Sequence, residues 1–266
     1  MNGSKIRIYY FTGTGNSLYI AKSIADSFDD SELVSIPTAY KANTKQIIEC
    51  DTVGFVFPVH FSKPSIILER FLDNIESIEA NYVFAIANGG GLYGSTLKIV
   101  NQSLLSVGAH LNSGFLIQMP SNHPKIAQMQ KKSNHKILEE ADLHIKDISE
   151  KIRLKQRTDL KTRPVILGYL FSKLFFRSLH KRSENGELDK DFWLKDTCDL
   201  CGICVKCCPV SNISISKNQV QWSHHCINCS SCYHLCPKEA IELGKDTMKR
   251  YHHPSITTDE FIEQYR

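Results

Sequence analysis

The chain has 266 residues, of which 42% are hydrophobic and 23% charged, values that are ordinary for a soluble globular protein. Its formal net charge of +4 is unevenly distributed, because residues 151–182 carry a net charge of +9 and the remainder about −5. This distribution argues against a general nucleic-acid-binding protein. No apolar stretch reaches the length needed to span a bilayer and no signal peptide is recognised, so we expect a cytoplasmic protein.

The first 155 residues alternate predicted strands and helices. Apolar or β-rich runs predict strands at 6–11, 33–36, 52–59, 82–87 and 111–119. Helical spacing of apolar residues predicts helices at 15–28, 65–72 and 95–107, and a long helix within 125–155. This succession predicts an α/β fold with a doubly wound, parallel, five-stranded sheet. Ligands of such sheets bind beyond the carboxyl ends of the strands.

Three loops at those strand ends hold the candidate ligand-binding residues. The first opens the first helix with backbone N–H groups and hydroxyls that suit a terminal phosphate; it comprises Thr12, Gly13, Thr14, Gly15, Asn16 and Ser17. It is not a dinucleotide fingerprint, because Leu18 stands at the third glycine position, and an ordinary capped helix start remains the alternative. The other two loops suit the walls of a flat aromatic ring; they contain Pro58, Val59, His60, Phe61, Asn88, Gly89, Gly90, Gly91, Tyr93 and Gly94.

These loops resemble the ligand-binding loops of flavodoxin, and the resemblance covers roughly residues 5–155. The sequence Thr-Gly-Thr-Gly-Asn-Ser is similar to the phosphate-binding motif of that family, and the two later loops match its ring-binding loops in position. The resemblance implies FMN as a cofactor, with its phosphate held by the first loop and its ring and ribityl chain surrounded by the other two. We add the hypothesis that His60 tunes protonation of the flavin ring.

Nine of the ten cysteines lie between Cys198 and Cys236, in a pattern that occurs twice at an offset of 28 residues. In Cys-x2-Cys-x2-Cys-x3-Cys-Pro, three closely spaced thiolates bind one [4Fe–4S] cluster and the fourth ligates the other cluster. The spacing therefore predicts one cluster on Cys198, Cys201, Cys204 and Cys236, and a second on Cys226, Cys229, Cys232 and Cys208. Two zinc sites are the disfavoured alternative, because structural zinc usually takes two separated Cys-x2-Cys knuckles.

Residues 197–243 resemble a bacterial-type two-cluster ferredoxin, although Ser230-Ser231 stands where that family often has a glycine. Cys207 is an additional thiol, which we interpret as a small buried side chain. The whole chain resembles the ferredoxin–flavodoxin fusion family of anaerobic bacteria and archaea. The domain prediction is a flavodoxin-like FMN domain over 1–155, a basic and apolar linker helix over 156–190, a small α+β ferredoxin-like domain over 191–246, and a tail over 247–266.

Residues 164–180 are rich in large apolar side chains, with Lys173 and Arg177 on one polar stripe. We favour a helix docked between domains over one that contacts a membrane surface or a partner. The predicted function is an iron–sulfur flavoprotein, an oxidoreductase that passes electrons between two [4Fe–4S] clusters and FMN to or from an unidentified acceptor. A non-catalytic electron carrier is the alternative. Expected partners are a ferredoxin-like redox protein and a small-molecule acceptor, and no nucleic acid.

Overall fold

The computed structural model describes residues 5–42, 44–123, 127–160, 181–182, 185–244 and 249–265. The chain forms two compact units. The first contains Met1–Thr12, Asn16–Pro120 and Lys131–Val165, and the second contains Gly13–Gly15, Ser121–Gln130 and Ile166–Arg266. The apolar helix expected over 164–180 lies outside the described residues, and the predicted domain boundaries stay predictions.

A parallel sheet forms the centre of the first unit. Its main strands are β1 (Ile6–Tyr10), β2 (Ser31–Ser35), β4 (Thr52–His60), β7 (Tyr82–Gly89) and β8 (Ser113–Gln118). They are hydrogen-bonded in the order β2-β1-β4-β7-β8, and every pair is parallel. This is the flavodoxin-like order, in which the strand sequence reverses between β1 and β4. The predicted fold class is therefore confirmed, with all five predicted strands present.

Three short strands of the first unit were not predicted. The two-residue strand β5 (Lys63–Pro64) pairs antiparallel with the end of β4 and makes the sheet six-stranded. Strands β3 (Gln46–Glu49) and β6 (Ile75–Glu79) form a separate parallel pair. Such short segments lack the sustained alternation or apolar run that identifies a strand in a sequence.

The helices of the first unit are α1 (Asn16–Ala25), α2 (Ile36–Lys41), α3 (Ile66–Asp73), α4 (Thr96–Leu105) and α5 (Asn134–Arg153). Helix α1 packs against α5, and α3 packs against α4. The long helix expected within 125–155 begins only at Asn134, because the Ser133 side chain accepts a hydrogen bond from the Lys136 amide and caps it. Helix α2 was not predicted; its start depends on a Ser35 cap and on Pro37 in the first turn.

Among the residues that the structure describes, the elements of the second unit include two antiparallel strand pairs and three short helices. Strands β9 (Phe192–Leu194) and β12 (Ile241–Leu243) pair with each other, and β10 (Ile213–Ser216) and β11 (Gln219–Trp222) form a hairpin. The helices are α6 (Ile203–Lys206), α7 (Ser231–His234) and α8 (Thr258–Glu263). A small apolar core joins the four strands, α6 and α7; it consists of Phe192, Cys204, Ile213, Val220, Tyr233 and Ile241. Over the described ranges, no helix is both long and apolar enough to cross a membrane.

Candidate cofactor sites

The two cysteine loops share left-handed backbone angles at three equivalent positions. Left-handed φ angles recur at positions 28 residues apart, in the pairs Leu200 (60°) and Asn228 (54°), Gly202 (76°) and Ser230 (60°), and Ser211 (53°) and Glu239 (46°). A left-handed φ is uncommon for residues other than glycine, so its recurrence at three matched positions is informative. The duplication visible in the sequence is therefore also a duplication of three-dimensional structure.

Backbone amides donate to the sulfur of the last cysteine of each repeat. The Asn212 amide donates to Cys208 Sγ at 3.1 Å, and the matching Ala240 amide donates to Cys236 Sγ at 3.3 Å. In each case the residue before the donor has one of the left-handed φ angles described above. Such N–H···S bonds stabilise negative charge on sulfur and are one of the means by which proteins tune iron–sulfur clusters.

An open pocket lies between the first cysteine loop and β12. The cysteines that line it are Cys198, Cys201, Cys204 and Cys236. Its remaining walls are mainly apolar, and they include Ile203, Ile215 and Val220. The pocket thus brings the three closely spaced thiols of the first repeat together with the fourth thiol of the second.

A second pocket is lined by the other four predicted cluster ligands. The cysteines that line it are Cys208, Cys226, Cys229 and Cys232. Trp222 also lines it, and the buried Nε1–H of this side chain has no hydrogen-bond partner within the described part of the chain. A sulfur-containing group bound here would offer an acceptor to this donor, whose burial without a partner is unfavourable.

Both pockets fit a [4Fe–4S] cluster by their donor chemistry: four thiols, largely apolar walls and backbone donors to sulfur. Within the residues that the structure describes, no group of three or more His, Cys, Asp or Glu side chains is arranged to hold a single metal ion.

Burial and neighbouring thiols raise the pKa of several of these cysteines. Burial, together with the other three thiols of its set, raises the pKa of Cys204 to about 11. In the second set, burial and the thiol of Cys208 raise the pKa of Cys229 to about 11, and burial raises the pKa of Cys226 and Cys232. Because iron binds thiolates, cluster assembly must displace these protons.

The two sets differ in their access to solvent. Cys201 of the first set is exposed, whereas all four cysteines of the second set are partly or fully buried. Cys207 lines neither pocket. Its side chain is fully buried and its Sγ lies 3.6 Å from the Cys204 carbonyl oxygen, in keeping with its interpretation as a packing residue.

Sequence reasoning missed a buried carboxylate that organises the second cysteine loop. The Asp189 side chain, which is fully buried, accepts hydrogen bonds from Asn212 Nδ2 at 2.8 Å and from the His224 amide at 3.1 Å. His224 Nδ1 lies 2.9 Å from the other carboxylate oxygen. Asn212 Oδ1 in turn accepts from the His225 amide at 2.7 Å. This network fixes Asn212, the donor to Cys208, and no local sequence signal connects its members.

In the first unit, Ser17 and Asn88 of two different candidate loops are joined by a hydrogen bond. Asn88 Nδ2 donates to Ser17 Oγ at 2.7 Å and to the Phe57 carbonyl at 3.0 Å. Both side chains are buried. Asn16 Nδ2 donates to the Pro120 carbonyl at 3.1 Å, which anchors the start of α1. The first residues of α1, which follow β1, are thereby held to the ends of the neighbouring strands.

The loop that follows β4 turns sharply at two residues. Phe61 and Ser62 both have left-handed φ angles, 52° and 61°, between the paired residues His60 and Lys63. Two central residues with positive φ are typical of a type I′ hairpin turn. The His60 ring packs edge-on against Phe11, with 6.3 Å between the ring centroids.

The loop that follows β7 packs closely on this turn. A Cβ on Gly94 would lie 2.4 Å from the Ser62 carbonyl oxygen, so only glycine fits there. A Cβ on Gly89 would lie 3.6 Å from Val59 Cβ, an ordinary contact. Tyr93 is buried, and its hydroxyl lies 3.5 Å from the Gly89 carbonyl. Pro58 is half-buried at the end of β4, and Gly90 and Gly91 complete this loop.

Gly13–Gly15, the middle of the first candidate loop, belongs to the second unit by its contacts. The Gly13 carbonyl accepts a hydrogen bond from Ser231 Oγ at 2.8 Å, and the Thr14 carbonyl accepts one from the His253 amide at 2.8 Å. A Cβ on Gly13 would lie 2.5 Å from the Cys229 carbonyl oxygen. The sequence predicts that backbone N–H groups and hydroxyls of this loop hold a phosphate. The structure gives its glycines a further role, which is their close packing on the second cysteine loop and the tail.

The described part of the tail is an integral part of the second unit. His234 Nδ1 accepts a hydrogen bond from the Tyr251 amide at 3.0 Å, so its other nitrogen, Nε2, carries the hydrogen that faces the Asn122 carbonyl at 2.8 Å. Burial lowers the pKa of His234 to about 4, which keeps this ring neutral. The Arg250 guanidinium lies 3.5 Å from the centroid of the Tyr233 ring, a cation–π contact.

Solved structures that are similar to part of the chain have low identity to it and TM-scores below 0.5. No protein-family model and no curated protein matches the chain. Among solved structures, the two-electron reduced flavodoxin of Megasphaera elsdenii is similar with 19% identity and a TM-score of 0.34, over 47% of this chain and 96% of that one. An FMN-dependent NADH-azoreductase from Bacillus anthracis has 11% identity and a TM-score of 0.39, over 56% and 99%. An FMN-bound flavoprotein from Lactobacillus acidophilus has 15% identity and a TM-score of 0.35, over 48% and 99%.

Proposed function

We propose that this chain is an iron–sulfur flavoprotein, an oxidoreductase that carries two [4Fe–4S] clusters and FMN and passes electrons to or from a small-molecule acceptor. The observation that carries this proposal is the pair of pockets, each lined by four cysteines that come from both repeats. When bound, the clusters supply one-electron steps and the flavin links them to two-electron chemistry.

The thiolates of the two pockets hold the clusters, and the amides of Asn212 and Ala240 stabilise negative charge on one ligand sulfur in each. The first pocket contains the exposed Cys201 and so is the more accessible to a redox partner protein such as a ferredoxin. None of the four cysteines of the second pocket is classed as exposed. We therefore assign exchange with the partner protein to the first cluster.

The flavin site is assigned to the loops that follow β1, β4 and β7. Thr12 and Ser17 offer hydroxyls to the phosphate, and Asn88 holds the Ser17 hydroxyl in place through its 2.7 Å hydrogen bond. The loops around His60 and Tyr93 provide the walls for the ring. Strand ends beside the reversal of strand order are where doubly wound sheets bind their ligands, and β1 and β4 flank that point here.

Anaerobic reconstitution tests the assignment of cofactors. Iron, acid-labile sulfide and FMN are measured on the purified full chain, with an expected content of two clusters and one flavin per chain. The variant Cys226→Ser should lose one cluster and keep the flavin. Iron bound without sulfide, or no uptake of FMN, would overturn the corresponding part of the proposal.

An acceptor screen separates an enzyme from an electron carrier. The chemically reduced holoprotein is mixed with small-molecule acceptors such as quinones, nitro compounds and nicotinamide nucleotides, in the absence of any partner protein. Turnover of one of these classes supports the oxidoreductase. Rapid oxidation by a ferredoxin, with no turnover of small molecules, would identify a carrier instead.

A further inference from the structure

The Ser231 hydroxyl lies between two hydrogen-bond acceptors within the second unit. Its Oγ is 2.8 Å from the Gly13 carbonyl oxygen and 3.2 Å from Cys229 Sγ. The side chain is fully buried, so water does not compete for it. A serine hydroxyl has one hydrogen to donate. Carbonyl oxygen and thiolate sulfur both accept, so one hydrogen serves two acceptors in turn.

Tyr265, at the end of the described chain, forms a side-chain hydrogen bond with Ser231. Its side chain is buried, and its ring packs edge-on against Phe261 with 5.6 Å between centroids. Burial and the nearby thiols of Cys229, Cys207 and Cys208 raise the pKa of the Tyr265 phenol, whereas a hydrogen bond with Ser231 acts in the opposite direction. A phenol that stays protonated can donate to the Ser231 oxygen, which leaves the serine hydrogen for its two acceptors.

The first cysteine loop has no equivalent of this donor. The residue that corresponds to Ser231, 28 positions earlier, is Ile203, whose side chain has no polar atom. The residues before Ile203 and Ser231, Gly202 and Ser230, both have left-handed φ angles, so the two positions are equivalent in backbone as well as in sequence. The donor is thus specific to the second pocket, and the first pocket provides an internal reference.

We propose that Ser231 is a positioning residue that shares one hydroxyl hydrogen between Cys229 Sγ and the Gly13 carbonyl, and so couples reduction of the second cluster to the backbone of Gly13–Gly15. This inference rests on the proposed function. Reduction takes one electron from a one-electron reductant; no covalent bond forms or breaks, and the proton stays on the Ser231 oxygen. The added negative charge on sulfur draws the hydrogen bond toward Cys229 and away from Gly13.

The main test measures the reduction potential of the second cluster. Electron paramagnetic resonance monitors the titration of the full-length protein, loaded with clusters and free of flavin. This cluster is identified as the signal that Cys226→Ser removes. In Ser231→Ala the ratio of reduced to oxidised cluster at a fixed potential should fall about tenfold, which is about 59 mV for a one-electron couple. Ser231→Thr, which keeps a hydroxyl, should restore the wild-type value. The exposed Ser214→Ala is the matched control.

Two further measurements make the outcome decisive. Tyr265→Phe keeps the ring and Ser231, and should shift the potential in the same direction by less, which provides the test if Ser231→Ala loses the cluster. In wild type, FMN binding should shift the potential of the second cluster, and this shift should shrink in Ser231→Ala because coupling between two sites is reciprocal.

An unchanged potential in both Ser231→Ala and Tyr265→Phe would overturn the inference while leaving the proposed function intact. Absence of two clusters from the wild-type chain would instead overturn the proposed function, and this inference with it. A shift of both clusters by the same amount would also count against it, since Ser231 neighbours only the second.

Discussion

Gly202 and Ser230 occupy equivalent positions in the two cysteine loops and share a left-handed backbone, with φ angles of 76° and 60°. Each immediately precedes a short helix, α6 or α7. Glycine adopts this conformation without a steric penalty, whereas a residue with a Cβ pays about 1–2 kcal/mol for it. The serine at position 230 therefore keeps the geometry of the loop at a local conformational cost.

Gly202→Ala should reduce the free energy of unfolding of the second unit by about 1–2 kcal/mol. The nearest atom to a Cβ at this position is Ile215 Cδ1 at 4.0 Å, so the cost is conformational and not a clash. Ser230→Gly removes the same steric penalty, but the glycine also raises the conformational entropy of the unfolded chain. The two effects oppose each other, so this variant should be neutral or stabilising by up to about 1 kcal/mol. Thermal unfolding of the cluster-loaded protein measures both.

Gly244→Ala is the matched control for this pair. Gly244 also has a positive φ, 59°, and a Cβ at this position would meet no described atom within 4 Å, but the residue lies outside both cysteine loops. It should lose similar stability without changing cluster retention. A Gly202→Ala variant that is as stable as wild type would contradict the conformational argument.

Hydrogen bonds between residues that are distant in the sequence could not be predicted from the sequence. The parallel sheet was predictable because the strands at 52–59 and 82–87 form continuous apolar runs. The repeated cysteine spacing predicts two ligand sets, and this assignment stays a prediction. The hydrogen bond from Ser231 to Gly13 joins residues 218 positions apart, and that from His224 to Asp189 joins residues 35 apart. No local pattern specifies either pair, since both depend on how separate segments pack.

Each proposed cluster takes three ligands from one cysteine repeat and the fourth from the other repeat. This crossed arrangement predicts which cluster each cysteine ligates. Cys208→Ser should remove the second cluster and spare the first, although Cys208 follows the first three cysteines in sequence, because it lines the second pocket. Iron and sulfide content should fall by about half, and the remaining cluster should match that seen in Cys226→Ser. Cys207→Ser, one residue away and outside both pockets, should retain both clusters. Loss of the first cluster in Cys208→Ser would refute the crossed assignment.

Gly13 should tolerate no side chain. In Gly13→Ala the added Cβ would meet the Cys229 carbonyl oxygen, a backbone atom, at 2.5 Å, so the backbone must move. We expect a loss of about 1–3 kcal/mol in stability, as for other overpacked sites, together with faster loss of the second cluster. Gly89→Ala, whose Cβ would make only a 3.6 Å contact with Val59, should fold normally. Equal stability of the two variants would show that Gly13 is not tightly packed.

Asn88 should contribute to flavin affinity through the position of Ser17. Asn88→Ala leaves the buried Ser17 hydroxyl and Phe57 carbonyl without this donor, at a cost of about 1–3 kcal/mol in stability. We expect a weaker FMN affinity, measured by quenching of flavin fluorescence on titration with apoprotein. The control is Asn81→Ala, which removes an exposed hydrogen bond to Asp51 and should bind FMN as wild type does. An unaltered affinity in Asn88→Ala would separate Asn88 from the flavin site.

The turn at Phe61 and Ser62 should lower the stability of the apoprotein while contributing to FMN binding. Both residues have left-handed φ angles, a conformation that Asn-Gly adopts readily in type I′ turns and that is strained for a bulky aromatic residue. Replacing the pair by Asn-Gly should therefore raise the unfolding free energy of the apoprotein by about 1 kcal/mol. It should also weaken FMN binding, because it removes the Phe61 ring from the proposed ring site. The single change Ser62→Gly separates the two effects. It relieves backbone strain while keeping the Phe61 ring, so it should stabilise the protein without lowering its affinity for FMN. If Asn-Gly binds FMN as tightly as wild type, Phe61 is not a wall of the flavin site.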